Sequence, residues 1–193
     1  MSRYLSFLFL ATWLAWALYW RAESRAAKAN VWAESITSRL MHVVPTLAAA
    51  LLLVLDVPAW GLEERLWPRS EATAWAGWLV TVAGLSFTVW ARRHLATNWS
   101  ADVTLKENHE LITSGPYGWA RHPIYTGLLL GFIGTTLAVG RWRGVAAVGL
   151  MGLTLWRKLR IEERGMRQLF GEQYTLYAKR VSALIPFLRR FAP

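Results

Sequence analysis

Two short clusters hold the side chains best suited to chemistry: Arg121-His122-Pro123 with Tyr125, and the doublet Glu162-Glu163. A planar guanidinium grips a carboxylate through paired N–H donors. An imidazole carries or releases a proton near neutrality. Adjacent carboxylates suit an ammonium or a pair of hydroxyls. Each cluster borders an apolar run, 124–140 after the first and 144–156 before the second. Pro123 falls where proline is tolerated, in the first turn of a helix. At 1.5 Å per residue, 123–140 extends about 27 Å and 144–163 about 30 Å. The chain therefore runs out and back, and the spacing predicts that Arg121, His122 and Tyr125 return to the level of Glu162 and Glu163. That places a cationic and an anionic pole at one membrane surface, flanking an apolar groove. Each piece also has a plain reading: Arg121 as a membrane anchor, His122 as a helix-start residue, and the glutamates as a solvated face neutralised by Arg157, Arg160 and Arg164.

The elements that must position these clusters are apolar helices. The 193 residues are 54% hydrophobic with 13 tryptophans, yet carry a net charge of +10. Apolar spans joined by basic loops give that combination. Five apolar segments are expected, at 4–20, 40–60, 72–91, 124–140 and 144–156, the last two joined by Arg141-Trp142-Arg143. A span needs roughly 20 residues, so the fifth reaches that length only by continuing through Arg157-Lys158. The first is read as a retained span because it lacks a basic start and a small-residue cleavage site. Lys and Arg number 1, 4, 2, 4, 2 and 9 before, between and after the segments. The alternation predicts the N-terminus outside, with the tail and both clusters cytoplasmic. Eight tryptophans at or near span ends, among them Trp13, Trp16, Trp20 and Trp142, read as an interfacial belt. Gly127, Gly131 and Gly134 are expected to face Ala146, Gly149 and Gly152 across the hairpin. Phe170, Tyr174, Tyr177, Val181 and Leu184 recur at helical spacing and predict an amphipathic interfacial helix ending near Pro186. The fold class is an all-α membrane bundle of about five transmembrane helices. It is one domain, with a three-span region at 1–91 and a region bearing the clusters at 92–193.

Several function classes are excluded or disfavoured. The chain has no cysteine, so it has neither disulfides nor thiolate metal sites. Its four histidines, His42, His94, His109 and His122, show no ligand spacing, and no metal is expected. No G-x-G-x-x-G follows a strand pattern, which removes a soluble dinucleotide fold. The basic residues are dispersed, so no nucleic acid is expected.

The stretch "NHELITSGPYGWARHPIYTG", 108–127, and the tail "EERGMRQLFGEQYTLYAKRV", 162–181, resemble the two signatures of the isoprenylcysteine carboxyl methyltransferase family. Asn98–Ser100, "NWS", also looks familial. The resemblance covers about residues 91–187, and the Arg-His-Pro and paired-glutamate elements occur as well in membrane phospholipid N-methyltransferases. It implies S-adenosyl-L-methionine as methyl donor, held between the cytoplasmic ends of the last two long helices. Carried over residue by residue, it implies cofactor contacts from His109, Leu111, Gly115, Tyr117, Arg121, His122, Pro123, Tyr125, Glu162 and Glu163. Arg121, Glu163 and Tyr125 would be the catalytic residues. Glu163, with Glu162, would face the ammonium or ribose hydroxyls, and Arg121 with His122 a carboxylate of either cofactor or substrate.

The resemblance further implies a lipophilic acceptor arriving from the bilayer, such as a prenylated cysteine carboxylate, with a monomer in an inner membrane if the chain is bacterial. A phospholipid amine and a small thiol stay open as acceptors. Outside that class stand a non-catalytic membrane scaffold and a nicotinamide-dependent membrane reductase. A carboxylate acceptor needs no general base; an amine or thiol must lose a proton, which His122 or Glu163 could take.

Overall fold

The computed structural model describes residues 3–24, 36–58, 61–95 and 111–185. Five helices follow in order: α1 (Arg3–Ser24), α2 (Ile36–Val54), α3 (Glu71–Leu95), α4 (Pro123–Val139) and α5 (Trp142–Arg180). A 3₁₀ turn, Gly115–Gly118, precedes α4, and no strand occurs among the described residues. Helices α1, α2 and α3 are long and apolar enough to cross a membrane, and α4 is a shorter apolar helix.

Contacts fix the directions. Thr12, Trp16 and Glu23 of α1 meet Trp78, Thr88 and Arg92 of α3, so these two helices are parallel. Gly77 and Gly84 of α3 meet Gly134 and Gly127 of α4, which runs antiparallel. Arg157 and Arg143 of α5 reach Ser38 and Leu52 of α2, again antiparallel. One end of the bundle therefore gathers the ends of α1 and α3, the starts of α2 and α4, and the polar half of α5.

The α3–α4 seam is the closest approach. Alanine at Gly84 would bring its methyl within 2.6 Å of Gly127 O, and alanine at Gly77 within 2.5 Å of Gly134 O. Two backbones can approach so closely only where both surfaces are bare of side chains. This corrects the expected pairing. The glycines of α4 face α3, or for Gly131 Leu85 and Trp13, while a methyl on Gly149 or Gly152 of α5 would meet nothing within 4 Å. The reason is that α3 carries its own small stripe, Gly77, Thr81, Gly84 and Thr88, which fits that of α4. Helix α5 instead packs larger side chains, Ala147, Met151 and Leu155, against Ala49 and Leu53 of α2 and Phe132 of α4.

The tryptophan belt needs correction at Trp13 and Trp16, and Trp78, outside the expected belt, behaves like them. The Trp13 Nε1–H donates to Thr135 Oγ1 at 3.1 Å, that of Trp16 to Thr88 Oγ1 at 2.6 Å, and that of Trp78 to Thr12 Oγ1 at 3.1 Å. These rings lie between helices, where an indole N–H finds a threonine hydroxyl and binds α1 to α3 and α4.

The end remote from the clusters is tied by backbone and charge. Arg143 N–H donates to Leu62 O, and Trp142 N–H to Glu64 O. Arg143 Nη1 donates to Leu52 O and Leu55 O, serving carbonyls that the end of α2 leaves open. Gly140, left-handed at φ 63°, turns the chain from α4 into α5.

The fifth apolar segment belongs to a helix far longer than expected. Helix α5 continues through the glutamates to Arg180, broken at Gly171, whose φ of 53° and ψ of −120° leave helical space. The anticipated tail helix is its last part and stops at Arg180, short of Pro186. Its Tyr174 and Tyr177 are buried. They turn inward onto the polar clusters, not outward to lipid, because polar partners for both lie there.

Candidate functional site

Arg121 leads the site. It precedes α4, which Pro123 starts from a fully buried position. Its Nε–H donates to Glu163 Oε1 at 2.8 Å, and Nη2 forms a second, charge-paired bond to the same oxygen. Its Nη1 donates to Ala178 O at 3.0 Å and Val181 O at 2.5 Å, carbonyls at the end of α5. Four of the five guanidinium N–H groups are thereby engaged. The adjacent backbone extends the latch: Arg121 N–H donates to Ser182 O, His122 N–H to Ala183 O, and Thr126 Oγ1 to Leu184 O. The expected poles do converge, and they touch each other, with no groove between Arg121 and Glu163.

His122 sits between the acids. Its Nδ1 lies 3.4 Å from Glu162 Oε2, and its Nε2 lies 3.6 Å from Glu163 Oε1. The Nε2 atom is buried without a hydrogen-bond partner. The imidazole stacks on Tyr125, ring centroids 5.3 Å apart and planes 8° apart. Tyr125 in turn donates from its hydroxyl to Glu162 Oε1 at 2.5 Å. Glu163 is 7% exposed and also receives Arg167 Nη2 at 3.3 Å.

These groups lie past the apolar half of α5, and their protonation follows from their partners. Burial raises the Glu163 carboxyl, but the hydrogen bonds and charges of His122 and Arg121 outweigh it and hold the pKa at about 2. Burial likewise raises Glu162, and His122, Lys158 and Tyr125 bring it below the ordinary value. Burial lowers His122, and the two glutamates more than reverse this, so its pKa is raised. Each of these three shifts favours the charged form of its group. Burial, with the Glu163 charge, pushes the Tyr174 phenol up to about 12, so it stays protonated beside them.

Tyr117 and Gly115 lie in the turn that precedes α4. Tyr117 is buried, and its carbonyl accepts the Tyr177 hydroxyl at 2.6 Å. Gly115, at φ 58°, turns against His94, whose Nε2 lies 2.9 Å from Ser114 Oγ. The His94 ring stacks on Tyr117 at 6.4 Å. Leu111 is partly buried at the start of this described segment. His109 and Asn98–Ser100 lie outside the described residues. Sequence reasoning missed His94, Arg167 and the carbonyls at 178–184. The tail carbonyls leave no side-chain signal, and nothing near His94 marks it as a neighbour of Ser114. Tyr174 and Tyr177 were visible as a stripe, but it was assigned to the apolar face of an interfacial helix, and both are buried against the clusters.

The apolar helices and this buried polar network at one end define an integral membrane protein with a charged site where the helices leave the apolar layer. A family model described as phospholipid methyltransferase matches residues 72–173, just over half the chain. The protein-S-isoprenylcysteine O-methyltransferase of Rattus norvegicus is 33% identical over 137 residues, 66% of this chain and 47% of that protein. That of Homo sapiens is 32% identical over 164 residues, 78% of this chain and 54% of that protein. The chain thus spans about half the length of these relatives. A solved structure of the eukaryotic intramembrane Ras methyltransferase, isoprenylcysteine carboxyl methyltransferase, shares the fold at a TM-score of 0.57 and 22% identity, covering 78% of this chain and 53% of that one. The chain belongs to the phospholipid methyltransferase family, and the named relatives it resembles there are isoprenylcysteine O-methyltransferases.

Proposed function

We propose that the protein is an S-adenosyl-L-methionine-dependent membrane methyltransferase that acts on the carboxylate of a lipophilic, prenylcysteine-like acceptor. The observation that carries this reading is the meeting of Arg121, His122 and Tyr125 with Glu162 and Glu163 at one end of the bundle. The partly exposed Glu162 carboxylate, and the buried His122 Nε2 held only at 3.6 Å from Glu163, fit a ligand rich in donors and acceptors. When bound, the cofactor supplies an electrophilic methyl group on a sulfonium.

The chain's own residues bind, orient and keep water out. Glu162 and Glu163 face the cofactor's ammonium or ribose hydroxyls; Tyr117 and Tyr125 wall its ring; Leu111 reaches it from the segment before α4. Gly115 and Pro123 shape the backbone around it. Arg121 has most of its donors spent on Glu163 and the tail, so it acts as a positioning residue. It holds the acid in place and seats the α5 tail over the site. Opposite charges approach when a carboxylate attacks a sulfonium, so orientation in a water-poor pocket is the main contribution asked of the protein. The active site and C-terminus face the cytoplasm, following the basic residues of the tail.

The test is a labelled methyl-transfer screen with membranes containing the protein, offering S-farnesylcysteine, a phospholipid mixture and a small thiol. Label in a base-labile ester of the farnesylcysteine is the expected result. Label in the phospholipid or thiol moves the acceptor. No label and no S-adenosylhomocysteine binding refutes the methyltransferase reading and favours a scaffold.

A further inference from the structure

The last part of α5 is joined to the rest of the helix through one loosely packed break, and to the site through a set of hydrogen bonds. Gly171, at φ 53° and ψ −120°, interrupts the helix. A positive φ is open to glycine without the penalty that a Cβ brings. A methyl on Gly171 would meet nothing within 4 Å, and Gln168, Leu169, Glu172 and Gln173 beside it are exposed. Little packing opposes a change of backbone angle there, which is what a hinge requires.

Beyond this break, 172–185 is bonded to the turn from Arg121 to Thr126 and to Tyr117. Arg121 Nη1 reaches Ala178 O and Val181 O, and the Arg121 N–H reaches Ser182 O at 2.8 Å. His122 N–H donates to Ala183 O at 3.0 Å, Thr126 Oγ1 to Leu184 O at 2.5 Å, and the Tyr177 hydroxyl to Tyr117 O at 2.6 Å. Every acceptor in this set is a backbone carbonyl, so water can replace each bond when the segment lifts. The segment also covers the acid. Glu163 and Tyr117 are each 7% exposed, and Tyr174 and Tyr177 are buried. Burial first, and then the Glu163 charge, raises the Tyr174 phenol, which sets this ring against the acid. A nucleoside-sized ligand reaches Glu163 only if the cover moves.

We propose that 172–185 is a strap, hinged at Gly171 and latched by the Arg121–Thr126 turn, that swings off the site to admit and release the methyl donor and closes over it. This deepens the methyl-transfer reading and rests on it. Arg121 serves both halves of the event. Its Nη1 holds the strap while Nε and Nη2 hold Glu163, so closing the strap also fixes the acid. A ligand seated on Glu163 favours the closed form by its difference in affinity for the two forms.

The test uses the full chain in lipid nanodiscs, with S-adenosylhomocysteine as the probe. Two variants loosen the latch and spare Arg121: Thr126→Val removes the bond to Leu184 O, and Tyr177→Phe the bond to Tyr117 O. Each should raise the association and dissociation rates together, about three- to tenfold, as the loss of one hydrogen bond warrants. The Kd should then stay within about threefold of the wild-type value. Hydrogen exchange reads the strap without ligand. The Arg121 and His122 amides, which donate to strap carbonyls, should exchange at least about tenfold faster than those of 129–134 within α4, and slow when S-adenosylhomocysteine binds. Thermal melting of both variants near the wild-type value excludes misfolding as the cause. Faster dissociation with an unchanged association rate overturns the proposal, because the lost groups would then only support the bound ligand. Exchange of the Arg121 and His122 amides by global unfolding alone also overturns it. Absence of S-adenosylhomocysteine binding by the wild type is a failure of the methyl-transfer reading, and the exchange rates then decide alone whether the strap opens.

Discussion

Removing the Arg121 side chain and the Glu163 charge, singly and together, tests whether the two form one buried unit. In Arg121→Met, Glu163, 7% exposed in the native protein, keeps cations at 3.3 Å (Arg167) and 3.6 Å (His122). The carbonyls of Ala178 and Val181 lose their donor as well. Breaking a buried pair from one side costs about 3–5 kcal/mol, and the two remaining cations place this case at the low end, about 3 kcal/mol. Glu163→Gln keeps a hydrogen-bond acceptor and should cost about 2 kcal/mol. The double variant leaves no orphaned charge, so its loss should fall about 2 kcal/mol short of the sum. Unfolding in mixed micelles gives the three values. Proteolysis after Lys179 and Arg180 should accelerate in Arg121→Met, because Arg121 fastens that segment. Arg121→Lys keeps the charge but reaches fewer of the three partners, and should lower kcat with less change in acceptor KM. Additive losses, within about 0.5 kcal/mol, would refute the idea that these residues act together.

Other expectations follow from the same structure. Gly84→Ala should destabilise by about 1–3 kcal/mol, since its methyl would strike Gly127 O. Gly152→Ala, with nothing within 4 Å, should be neutral or gain up to about 1 kcal/mol, and equal effects would contradict the seam. Stability should be greatest between pH 4.5 and 6.5. The raised pKa of His122 means its contribution is full below 6.5 and fades as pH rises through the folded value. The lowered pKa of Glu163 means its contribution is full above 4.5 and fades as pH falls toward about 2. Melting curves of His122→Asn should lose the alkaline limb; an unchanged limb refutes the network. The chain lacks cysteine, so Arg69→Cys and Lys179→Cys can be labelled alone. An impermeant thiol reagent should reach the first from outside the cell and the second only after lysis, and the reverse would invert the proposed orientation.

The convergence of the two clusters was legible because two physical rules coincide. Proline starts a helix, and helices of matched length return a hairpin to its starting level. The partners of α4 were misjudged for a related reason. Small residues advertise close approach without naming the helix approached, and sequence proximity favoured α5. The stripe Gly77, Thr81, Gly84 and Thr88 on α3 was present to be read and fits better. Trp13 and Trp16 looked interfacial by composition; their threonine partners, Thr135 and Thr88, are 122 and 72 residues away. The continuity of α5 beyond Glu163 to Arg180 was hidden, since hydropathy falls where the helix goes on. Arg121's engagement with Ala178 and Val181 rests on backbone carbonyls, which side-chain chemistry does not encode.

The most direct measurement is photochemical labelling of the purified protein with methyl-tritiated S-adenosyl-L-methionine, with the labelled peptides mapped. The account predicts label in 111–125 and 158–177, suppressed by excess S-adenosylhomocysteine. Label that S-adenosylhomocysteine does not suppress, or label confined to the remote end around Trp142, would contradict a single site built from the two clusters.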